Sequence, residues 1–142
     1  MIKTGNSVKV YITDKKEGAT KFTWLVGEQN SSQNFNAEML DVSDKSTKWA
    51  KSLPGMLSST IDVTVHADDE ASGPQHELLK SLHKGQSVFV FVGVVNGTTP
   101  AEGDMSEAYV ASIGNTYDNN GVASRAVSLQ VTGEVVHYPE IE

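Results

Sequence analysis

Several clusters of side chains in this 142-residue chain could do chemistry. His66 stands beside Asp68, Asp69 and Glu70, an oxygen-rich set of the kind that holds a divalent cation. No glycine-turned calcium loop accompanies it, so a solvated acidic turn is the plainer reading. His76-Glu77 opens like the helical zinc motif of metalloproteases, but Lys80 fills the place where a second histidine must share the metal. Asp118-Asn119-Asn120-Gly121 has the composition of a cation loop and equally that of a hairpin turn, because these residues tolerate positive φ. Trp24, Trp49 and Tyr117 offer a stacking platform for a sugar, although isolated aromatics in a small β domain more often pack in a core or an interface. Asn30-Ser31-Ser32 and Asn96-Gly97-Thr98 match the glycosylation sequon, which has little meaning in a chain that shows no signal peptide.

The larger catalytic signatures are missing. There is no G-x-S-x-G elbow, no phosphate-cradling loop and no dinucleotide fingerprint after a strand. No catalytic, metal or cofactor site is therefore expected. The absence of cysteine excludes a disulfide scaffold, a zinc ribbon and a thiol nucleophile. With 18 acidic against 11 basic residues the net charge is -7, which argues against a protein that grips nucleic acid through its phosphates. The charge is also unevenly placed: eight lysines face six acids up to residue 51, whereas Arg125 alone faces seven acids from residue 85 onward. Such lopsidedness is either solvated surface or head-to-tail attraction between copies. The N-terminus has no apolar signal core, and the longest apolar run, Val88 to Val95, is far short of the roughly 20 residues of a membrane span.

The elements that must position these groups are mostly strands, in one domain over residues 1–142. Val8, Val10 and Ile12 share a face of a first strand, paired as a hairpin with a second over Lys21–Val26. Phe35, Ala37 and Met39 alternate with Asn34, Asn36 and Glu38. Ile61, Val63 and Val65 alternate with Thr60, Asp62 and Thr64, and Val127, Leu129 and Val131 with Ser128, Gln130, Thr132 and Glu134. Val88–Val95 is apolar on both faces and needs a cover. A helix supplies it: Ser72 and Gln75 have capping-box spacing, Leu78, Leu79 and Leu82 form the stripe, and Gly85 ends it. A second short helix is expected from about Ser46 to Leu53, with Trp49 and Leu53 on one side and Pro54-Gly55 as its stop. Asn96-Gly97 and Asn120-Gly121 mark turns. The whole reads as mainly β, an antiparallel β-sandwich or barrel-like domain with one flanking α-helix.

The order Leu40-Asp-Val-Ser-Asp-Lys, then Trp49, then Leu53-Pro54-Gly55, then the alternating strand Ser59 to Val65, resembles the major tail tube proteins of long-tailed bacteriophages. A helix after that strand, a buried strand and two long closing strands, Glu107 to Ile113 and Ala123 to Val136, extend the likeness over residues 5 to 136. The resemblance implies hexameric rings stacked as a tube through which the DNA genome leaves the capsid. It further implies a place in the virion tail after synthesis in the bacterial host cytoplasm, and partners such as a tape measure, a baseplate or tip, a terminator and, in contractile tails, a sheath. Under it, Asn34, Asn36, Glu38, Thr60, Asp62, Thr64, Ser128, Gln130, Thr132 and Glu134 line the lumen, wetting the bore without pairing with phosphates. The loops holding Glu28 and Gln33, Asp44 and Trp49, and Asn96 and Asp104 meet neighbouring subunits, and replacing Trp49 is expected to damage folding or assembly. Two other classes stay open: a monomeric β-sandwich module binding a sugar or peptide through its tryptophans, and a metal enzyme using His66, Asp68 and Asp69.

Overall fold

A computed structural model describes residues 8–15, 21–25, 27–45, 48–67, 73–96, 99–117 and 119–138. Asp68, Asp69, Glu70, Ser72, Gly97 and Asp118 lie outside these residues, as does the expected start of the second helix at Ser46. The elements are β1 (Lys9–Thr13), β2 (Phe22–Trp24), β3 (Glu28–Asp41), β4 (Ser52–His66), α1 (Pro74–Lys84), β5 (Ser87–Asn96), β6 (Thr99–Thr116) and β7 (Ser124–Tyr138). All seven strands join one antiparallel sheet in the order β2-β1-β5-β6-β7-β4-β3.

The sheet curls until its ends approach. Val10 N–H of β1 donates 3.0 Å to the Glu28 carboxylate at the start of β3, and Leu25 N–H donates to Val10 O. Alternation then drives every second residue inward: Val10, Val90, Ala108, Val127, Leu129, Ile61, Val63 and Val65 form one buried cluster with Leu25 and Leu78. Leu78 comes from α1, which lies against β5 and β6. Gly85 ends that helix as expected, at φ 66, where any Cβ would be strained. The start of the helix differs from the capping-box expectation: Gly73 is the N-cap, Pro74 holds the first turn, and no side chain caps it. Gln75 turns inward instead, donating to His66 O at 2.8 Å and accepting from buried Arg125, whose Nε also donates to Asn115 at 2.8 Å. Arg125 thus ties α1 to β4, β6 and β7.

The second short helix does not form among the described residues. Lys48 to Lys51 are bend and coil, and Ser52 already begins β4. Pro54 sits inside this strand where Ser52–Ser59 pairs only with β3, β7 joining β4 only from Thr60 onward, and its partner Met39 lies beside a register shift, an edge setting that tolerates a missing N–H.

Candidate functional site

Three surfaces stand out, and register defines the first. Asn34 pairs with Thr60 and Thr60 with Gln130; Ser32 pairs with Asp62 and Asp62 with Ser128; Gln130 pairs with Tyr109, Ser128 with Ser112 and Thr132 with Glu107. Partners across a ladder share a face, so these side chains form one continuous polar field over β3, β4, β7 and β6, on the face opposite Ile61, Val63 and Leu129. Among the described residues no lysine or arginine lies on this field; Arg125 belongs to the other face and is buried. Seven of the ten lumen candidates, Asn34, Thr60, Asp62, Thr64, Ser128, Gln130 and Thr132, are therefore brought together. The pairing adds Asn30, Ser32, Glu107, Tyr109 and Ser112, which sequence reasoning missed. Toward β5, β1 and β2 the same face turns aromatic: Phe91, fully buried, packs against Tyr11, Phe22 and Tyr138 with ring centroids 5.7–6.3 Å apart. Burial, with the Glu28 charge adding to it, raises the Tyr11 phenol above its ordinary pKa.

The second surface is an arm. Beyond Asn34 and Thr60, β3 and β4 continue as a two-stranded ribbon to Asp41 and Ser52, closed by Val42 N–H donating to Lys51 O at 2.9 Å. Asn36 and Glu38 lie on this ribbon, away from the main field. Phe35, Met39, Leu53, Met56 and Leu57 are exposed along it, and Trp49 at its end is 84% exposed, so this tryptophan is not a core anchor. Asp44 occupies the same end loop. Asp41 is turned onto the Ser43 backbone N–H at 2.9 Å, which holds its carboxyl below the usual carboxylate range.

The third is a cleft of about 520 Å³ where β4 leaves β7. Phe35, Leu57, Val131 and Val135 wall it, with Glu134 and Asp104 at its polar side. Glu134 belongs here, in the irregular stretch of β7 around Gly133 at φ 80. Asp104 accepts from His137 Nδ1 at 2.6 Å. Ser59 lines the cleft and is 3% exposed, and its buried Oγ has no hydrogen-bond partner among the described residues.

Of the expected contact residues, only Asp44 and Trp49 lie in a loop among the described residues. Glu28 and Gln33 are in β3, Asn96 ends β5, and Asp104 lies within β6 opposite Val92 and His137. The segment from Glu28 to Gln33 carries no apolar alternation to announce a strand. Among the described residues no cluster of three His, Cys, Asp or Glu could hold a metal, and no helix is long and apolar enough to cross a membrane.

This curled sheet with its helix is the fold of tube-forming subunits. The tail of an empty gene transfer agent particle, refined with C6 symmetry, superposes with TM-score 0.78 at 18% identity over 96% of this chain and 98% of that one. The SPP1 tail tube gives 0.75 at 20% over 98% and 80%, and the sheath–tube complex of an extracellular contractile injection system 0.63 at 13% over 94% and 88%. Among curated proteins none matches the chain significantly. The family profile of phage tail tube proteins matches residues 3–137, so the chain belongs to that family and is a structural subunit of a phage tail tube.

Proposed function

We propose that copies of this chain close into six-membered rings that stack as the tube, with the polar field of β3, β4, β7 and β6 facing the bore and the DNA genome sliding past it ungripped. The observation that carries this reading is the field itself: four adjacent strands whose register-paired rows are polar apart from Ala126 and Gly114, with no base among the described residues to pair with phosphates. The sixfold symmetry of the gene transfer agent tail supports the ring number.

The free edges favour closure. Among the described residues β3 has no strand on its outer side, and β6 from Val110 to Thr116 extends beyond its pairing with β5. Because the four strands alternate in direction, rotating one copy about the tube axis brings an ascending β3 beside a descending β6, an antiparallel seam that removes both edges. Twenty-four strands at about 4.8 Å spacing and about 40° tilt close a ring roughly 45 to 50 Å across, wide enough for a duplex after side chains are subtracted. The subunit's role is structural and not catalytic. Its partners are other copies and the components that start, measure and end a tail, including a sheath where the tail contracts; it is made in the host cytoplasm and resides in the virion tail.

The reading is tested by Asp62→Lys combined with Thr64→Lys in the virion. Tubes of normal width by negative-stain microscopy with genome delivery reduced at least about tenfold are expected, since each added lysine meets phosphates every ~1.7 Å of duplex. Normal delivery through normal tubes refutes the lumen placement.

A further inference from the structure

We infer that the arm tip of one copy docks in the cleft of another, with Lys48, Trp49 and Lys51 entering between Phe35, Leu57 and Glu134. The inference rests on the tube reading and names the contact that reading leaves open.

The cleft has the marks of an unfilled interface. Its walls are apolar, with Phe35 and Leu57 exposed, and two strand edges diverge around it. Asp104 is held by His137, and Glu134 gives the site its acidic side, which disfavours a polyanion and selects a cationic guest. The arm tip has the matching chemistry: Lys45, Lys48 and Lys51 against Asp41 and Asp44, around an indole that is 84% exposed. A large aromatic flanked by cations suits an apolar slot with an acidic rim.

The guest must be a second copy. Five residues of paired ribbon, Ser52 to Met56, separate Lys51 from Leu57 at the cleft of its own arm, roughly 20 Å at strand rise. One patch meeting a different patch is a heterologous contact, the kind that propagates from copy to copy.

The test is carbodiimide coupling of assembled tubes made from equal parts of ¹⁵N-labelled and unlabelled chain, read by peptide mass spectrometry. Links from Lys48 or Lys51 to Glu134 or Asp104, with about half in mixed-isotope pairs, are expected. Tubes that couple elsewhere but never between arm and cleft overturn the docking while leaving the tube intact. Virion tails whose tube lacks this chain overturn the tube reading first, and the docking with it. In a second arm, Glu134→Lys should slow polymerisation at least about tenfold, and mixing in copies carrying Lys48→Glu and Lys51→Glu should restore it; failure of rescue with both variants folded counts against the pairing.

Discussion

β3 and β4 run from the body of the molecule into the arm without a break, and the same alternation of side chains has opposite fates along them. In the body Ile61, Val63 and Val65 are buried to within 2% because β7, the curled sheet and Leu78 cover them. In the arm Phe35, Met39 and Leu57 continue the same row at 55%, 63% and 81% exposure, since nothing among the described residues lies over them. Periodicity thus specifies which side of a strand is apolar; only the third strand decides whether that side folds the monomer or waits for a neighbour.

The sharpest break between the two regions comes from matched truncations. Ile61→Ala should cost the monomer about 3 kcal/mol in denaturant unfolding, by lost transfer energy plus the cavity left behind. A loss below about 1 kcal/mol would mean the body is less tightly packed than its burial indicates. Leu57→Ala should move monomer stability by less than about 0.5 kcal/mol yet weaken tube formation in sedimentation, because its methyl groups meet a surface only in the assembly. Equal effects of the two changes on unfolding would erase the distinction. The smallest expected effect is alkaline. Tyr11 in the body has a raised pKa, so the fold favours its neutral phenol, and the stability this contributes is complete below about pH 10 and lost as pH rises through the shifted value. Tyr11→Phe should flatten the fall of unfolding midpoint above about pH 10. An unchanged slope would place the titration elsewhere.

The body was legible in the sequence because each of its signals agreed with the next. Val127, Leu129 and the row Ile61, Val63, Val65 alternate cleanly, Val90, Phe91 and Val92 are apolar on both faces because both are covered, and Gly85 stops a helix whose Leu78 is buried. The arm was not, because its strands are specified by pairing alone. Asn30, Ser32 and Gln33 show no alternation, and the spacing of Trp49 and Leu53, which suits a helix, joins an end loop to the first residues of a strand. Pro54-Gly55 reads as a stop yet is tolerated at an open edge. The polar field was half visible: the residues alternating with apolar ones were found, whereas Glu107, Tyr109 and Ser112 became members only through the ladder to β7. The cleft was invisible, since it exists where two ribbons part company.

The length of ribbon that keeps an arm away from its own cleft has one more consequence. A filament joined in this way has unlike ends, one displaying unspent arms and the other vacant slots. Growth can then run in a single direction, and a protein that stops it needs to mimic only one of the two faces.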